Sequence, residues 1–166
     1  MKEIMSIGTV LHWIPQADIM IQNANRHLKT GGRYVVEFGG KGCNYSIINT
    51  LKELLDKEGL DYPGIESMLY YPSICQYSNL LENNGFEVNL ALLFDRPTEL
   101  KGGYDGLKDF IEMFFNWLFK YISDSEKSVI IKRTIDILKP QIFNGNSWIA
   151  DYRRIRIVAH KEKEIN

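Results

Sequence analysis

The residues best equipped for chemistry are few and scattered. His12 and Trp13 stand side by side in LHWIP and as a pair could contact a ligand. A tryptophan just before Pro15 is equally a natural hydrophobic staple onto a following helix. Glu37 interrupts the apolar run YVVEF, where a carboxylate must find a donor or stay protonated. It either faces a crevice or pairs with Arg153, Arg154 or Arg156 on a late strand. Tyr62, Tyr70 and Tyr71 crowd a proline-containing loop. Such loops often carry binding residues, but the rings could also simply cap a sheet edge. GGKG at Gly39–Gly42 follows a strand pattern, yet it lacks the spacing of a dinucleotide fingerprint, so a plain turn competes with a phosphate cradle. Neither GxSxG, HExxH, a Walker A loop nor a carboxylate cluster with metal spacing is present, which leaves hydrolase and metal-enzyme readings without support.

The elements that must carry these residues read as α/β. Pro15 sits where a first helical residue belongs, and Ala17, Met20 or Ile21, Ala24 and Leu28 recur at helical spacing up to Gly31. Arg33 to Phe38 is a nearly continuous apolar run, which suits a central parallel strand. In LKTGGRYVVEFGG it runs into further glycines, the place where open α/β sheets gather ligands. A helix from about Ser46 places Ile47, Ile48, Leu51, Leu54 and Leu55 on one side and stops at Gly59. Ser73 and Gln76 have capping-box spacing ahead of a short helix that Gly85 ends. Phe86, Val88, Leu90, Leu92 and Phe94 then alternate with polar residues as a strand exposed on one face.

Leu107 to Ile122 is dense in aromatic residues on all sides, which predicts a buried helix. A second helix, opened by the Ser123 and Glu126 capping box, is expected to run to Lys139, just before Pro140. After the Asn144-Gly145 turn, Trp148 to Ala159 reads as one long last strand with Ile155, Ile157 and Ala159 on one face, followed by a polar tail from His160 to Asn166. The alternation sends Arg153 to one face and Arg154 and Arg156 to the other, a dispersed set rather than a nucleic-acid patch.

The 166 residues carry a net charge of -1 and 45% hydrophobic residues, the profile of a soluble globular protein with room for one core. Cys43 and Cys75 form no CxxC pair and no secretory or transit leader is evident, so a reducing cytoplasm is expected. No apolar run approaches the ~20 residues that span a bilayer.

Four segments in order and spacing, VLHWIPQAD, LKTGGRYVVEFGG, YYPSICQYSNLLENNGFEV and WIADYRRIRIVAHK, resemble the C-terminal half of class I S-adenosylmethionine-dependent methyltransferases, most closely the trans-aconitate methyltransferase type. The resemblance implies a Rossmann-like α/β sheet with helices on both faces and the strands equivalent to four, five, seven and six side by side. It implies one domain over residues 1–166 and a helical insertion over residues 98–141 that serves as a substrate cover. S-adenosylmethionine is the implied cofactor, with His12 and Trp13 just past strand four beside it and the loop of Tyr70 and Tyr71 near the methyl acceptor; Glu37, where it faces the crevice, is the further candidate for binding the substrate.

The family grips its cofactor mainly through strands one to three, with a motif such as D-x-G-x-G-x-G and an acidic residue for the ribose hydroxyls. Neither precedes the helix at Pro15. MKEIMSIGT does not resemble the family's apolar fourth strand either. The expectation is therefore a methyltransferase-related protein that is inactive as a single chain. Its exposed apolar sheet edge would be closed by a second copy in a homodimer or by a separate N-terminal partner chain, with no nucleic acid or membrane involved.

Overall fold

A computed structural model describes residues 1–8 and 10–162. In chain order the elements are β1 (Lys2–Gly8), α1 (Ala17–His27), β2 (Leu28–Gly39), α2 (Tyr45–Lys57), α3 (Ile74–Glu82), β3 (Phe86–Asp95), β4 (Thr98–Glu99), α4 (Gly106–Phe114), α5 (Asp124–Ile142), β5 (Ile149–Ala150) and β6 (Arg153–Lys161), with short 3-10 turns between several of them. The described residues form two compact units, one within residues 1–43, 66–95 and 153–162, the other of residues 44–65 and 96–152.

The first unit holds a four-stranded sheet in the order β1-β2-β6-β3. Strand β1 runs parallel to β2, reached through the α1 crossover that a parallel pair requires, while β6 runs antiparallel to both β2 and β3. Alternation along β2 points Tyr34, Val36 and Phe38 to one face, opposite Ala159, Ile157 and Ile155 of β6. On that face Ile21 and Ala24 of α1 and Tyr77 and Leu81 of α3 complete one buried cluster. The Tyr34 and Tyr77 hydroxyls share a hydrogen bond at 3.0 Å inside it. Burial pushes the Tyr34 hydroxyl up to about 12, and that of Tyr77 higher still.

The second unit packs α2 and α5 together, with β4 and β5 as a two-stranded sheet and α4 beside them. Asp151 holds the start of α2: its carboxylate accepts from the Ser46 N–H at 2.9 Å and the Ser46 hydroxyl at 2.8 Å. Both expected capping boxes form, Ser73 with Gln76 on α3 and Ser123 with Glu126 on α5.

Several boundaries differ from expectation for identifiable reasons. The segment read as a doubtful strand is strand β1, an edge strand whose exposure removes the need for an apolar pattern. Gly31 does not stop α1, which ends at His27. At φ 73° it lies in an irregularity where β1 advances from Lys2 to Ile4 while β2 advances from Leu28 to Arg33. In β3 the pairing shifts between Val88 and Leu90, a bulge at Asn89 that reverses the alternation. Ala91 and Leu93 therefore pack on the core and Leu90 and Leu92 are exposed, the opposite of the expected set.

The aromatic helix breaks after Phe114 into a 3-10 turn over Asn116–Phe119, leaving Met113 and Tyr121 exposed while Phe110, Phe115 and Phe119 are buried. Helix α5 continues through Pro140 to Ile142. The long last strand is two strands, because Ile149–Ala150 pairs with β4 before Arg153 enters the main sheet. His160 and Lys161 of the expected tail belong to β6, and its residues 163–166 lie outside the described residues.

Candidate functional site

Strands β1 and β2 are parallel and end together, at Gly8 and Glu37 in register, with β2 continuing to Gly39. Ligands of open α/β sheets bind beyond such carboxyl ends. Beyond β1 lies the 3-10 turn Leu11–Trp13, which buries Leu11 and His12. The His12 carbonyl accepts the Tyr70 N–H at 2.8 Å, tying the tyrosine loop to this turn. The His12 ring lies 5.5 Å from that of Tyr71, stacked at 27°, and 5.3 Å from that of Trp13, tilted at 41°.

Tyr71 reaches this place because residue 39 is a glycine: a Cβ there would come within 2.4 Å of the Tyr71 Cε1. The following turn is held internally, by Gly40 N–H to the Arg153 carbonyl at 3.0 Å and Lys41 N–H to the Pro72 carbonyl at 2.9 Å. Gly40 also lies against Leu93 and Ile155. The GGKG stretch is thus a turn in which Gly39 and Gly40 are explained by close packing and Gly42 by its φ of 87°.

Register places Arg154 opposite Gly39. Burial first, and then the Arg154 guanidinium, lower the His12 imidazole from 6.5 to about 4, so it is neutral near physiological pH. Its Nδ1 is buried and has no hydrogen-bond partner among the described residues. Trp13 and Tyr71 are half-buried.

The structure therefore brings together His12, Trp13 and Tyr71, with Tyr70 joined through its backbone. Tyr70 turns toward the core, its ring 6.3 Å from that of Tyr77, and burial raises its hydroxyl. Glu37 is engaged elsewhere: opposite Arg156 in the β2–β6 register, its Oε2 accepts from Nε at 2.7 Å and lies 2.5 Å from Nη2. Arg153 pairs with Asp95 at 3.1 Å. Tyr62, in the second unit, donates to Asp56 at 2.9 Å. Sequence reasoning did not foresee the parts that Arg154 and Gly39 play. Both follow from strand register and loop return, which no local pattern encodes.

No group of three or more His, Cys, Asp or Glu residues that could hold a metal ion occurs among the described residues. No helix among them is long and apolar enough to cross a membrane.

Comparison with known proteins bears on the fold. The chain is 28% identical over 169 residues to a protein of Schizosaccharomyces pombe named as an uncharacterised methyltransferase, covering 96% of this chain and 63% of the relative. Among solved structures, one of a methyltransferase from Bacillus halodurans superposes with a TM-score of 0.58 at 14% identity, covering 97% of this chain and 70% of that one. A loganic acid methyltransferase with S-adenosylhomocysteine superposes with a TM-score of 0.60 at 12% identity, covering 99% and 62%. The fold is that of the S-adenosylmethionine-dependent methyltransferases. No family model matches the chain. The 166 residues span less than two thirds of the yeast relative's length.

The wall formed by His12, Trp13 and Tyr71 suits one side of a flat nucleoside cofactor. A carboxylate for ribose hydroxyls is missing from this set, since Glu37 is committed to Arg156. The fit to S-adenosylmethionine is one-sided.

Proposed function

We propose that these residues form the acceptor-side, C-terminal portion of an S-adenosylmethionine-dependent small-molecule methyltransferase of the trans-aconitate type. The observation that carries this reading is the strand order β1-β2-β6-β3, with β6 alone antiparallel and the aromatic wall seated beyond the carboxyl ends of β1 and β2. His12 and Trp13 would lie against the cofactor, with Tyr71 and the backbone of Tyr70 on the acceptor side. Glu37 would join them only by leaving Arg156. Residues 98–141 would be the substrate cover.

When bound, the cofactor supplies an electrophilic methyl group. What the protein adds to such a transfer is chiefly proximity and alignment of the acceptor. Among the described residues this wall includes no glycine turn that would approach the methionine end, and Glu37 is held by Arg156 rather than left for the ribose, which supports the reading that the 166-residue chain alone is inactive.

Calorimetric titration with S-adenosylhomocysteine tests this. The chain by itself should show no clear micromolar binding. Snug binding to one isolated copy would overturn the reading.

A second reading is a non-catalytic homodimer or one subunit of a split enzyme, working in the cytoplasm. It is favoured by the outer edge of β1, which pairs with no described strand and exposes Ile4.

A further inference from the structure

We propose that His12 is a ligand-binding acceptor group whose Nδ1 takes a hydrogen bond from an uncharged O–H or N–H donor on a flat ligand seated against Trp13 and Tyr71. The inference rests on reading the carboxyl ends of β1 and β2 as a ligand crevice. His12 is 9% exposed and its Nδ1 has no hydrogen-bond partner among the described residues. Buried polar atoms are nearly always satisfied, so an orphan needs an explanation.

The His12 carbonyl is engaged by the Tyr70 N–H, and the ring lies against those of Trp13 and Tyr71. Burial and the Arg154 charge keep the imidazole neutral, so one of its two ring nitrogens carries a lone pair that can accept, and the orphan Nδ1 is the one assigned that role. The same guanidinium opposes an ammonium donor, and a carboxylate drawn to it would bring no proton for Nδ1. An uncharged donor meets both conditions. Trp13 and Tyr71, both half-buried and with ring centroids 5.3 and 5.5 Å from that of His12, favour a planar carrier.

The acceptor substrate and the cofactor's nucleoside both have such chemistry, and phenol and adenosine stand for the two. The test is the nitrogen resonances of the His12 ring in isotopically labelled protein titrated with phenol, adenosine or benzoate. In the free protein Nδ1 should be unprotonated, and phenol or adenosine should shift it toward a hydrogen-bonded value while benzoate does not. A shift with phenol alone assigns the donor to the acceptor, and with adenosine alone to the nucleoside.

His12→Phe keeps the stacked ring and removes the orphan atom. It should raise the melting temperature of the free protein and weaken the active probe about tenfold. A protonated Nδ1, a resonance that no donor probe moves, or a His12→Phe protein that melts lower with unchanged probe affinity would each overturn the proposal. The phenol arm needs no cofactor, so it stands or falls independently of the S-adenosylhomocysteine titration.

Discussion

His12 carries a stability cost that depends on pH. Its folded value is about 4 against an ordinary 6.5, so between these two values the unfolded chain binds a proton that the folded chain refuses. Stability should be unaffected by this group above 6.5, fall as pH drops toward 4, and level off below. The loss is at most about 3 kcal/mol. In His12→Phe that acid limb should shrink, which urea titrations of both proteins across this window would show. The glycines divide in a similarly testable way. A Cβ on Gly40 would meet Leu93 Cδ1 at 2.6 Å and Ile155 Cβ at 3.0 Å, whereas one on Gly8 meets nothing within 4 Å. Gly40→Ala should cost about 1–3 kcal/mol by overpacking, while Gly8→Ala should stay within about 0.5 kcal/mol. Equal denaturation midpoints for the two variants would refute the packing account of GGKG.

At the scale of elements, the bulge at Asn89 decides which leucines of β3 matter. Leu93 packs on the core cluster and Leu92 is 46% exposed. Leu93→Ala should therefore destabilise by about 1–3 kcal/mol and Leu92→Ala by less than about 0.5 kcal/mol, measured by thermal or urea unfolding. The reverse order would mean that β3 is paired in the unbroken register that simple alternation suggests. Both capping boxes were readable because their partners are three residues apart and satisfy each other locally. The apolar positions of α2 and the core face of β6 were readable for the same reason: periodicity is a local signal. What escaped is decided by partners distant in sequence. Strand β1 exists because β2 offers an edge, and the break at Asp151–Tyr152 because Ile149 and Ala150 pair with β4. The candidate site divides along the same line. His12, Trp13 and the tyrosine loop stood out by residue type, but their convergence needs the Tyr70 N–H to His12 carbonyl bond and the missing Cβ at Gly39.

For the molecule as a whole, the β1 edge is an open side of the main sheet among the described residues. Its outer backbone groups pair with no described strand, Ile4 is 59% exposed, and the charged start is partly tied down by Lys29, whose ammonium lies 3.0 Å from Glu3. An unpaired edge carrying apolar side chains is a template for another strand, and a two-fold antiparallel pair is the simplest closed arrangement available to a second copy. In that arrangement each copy contributes its own Ile4, so one substitution acts twice. Sedimentation of the 166-residue protein should accordingly show a dimer. Ile4→Lys should weaken it at least tenfold, since each buried isoleucine is worth about 1.5–3 kcal/mol, with the circular dichroism spectrum unchanged because Ile4 lies outside the buried cluster. A wild-type chain that sediments as a monomer at every concentration would remove the homodimer and leave the edge to a different chain. A dimer indifferent to Ile4→Lys would place the interface away from β1.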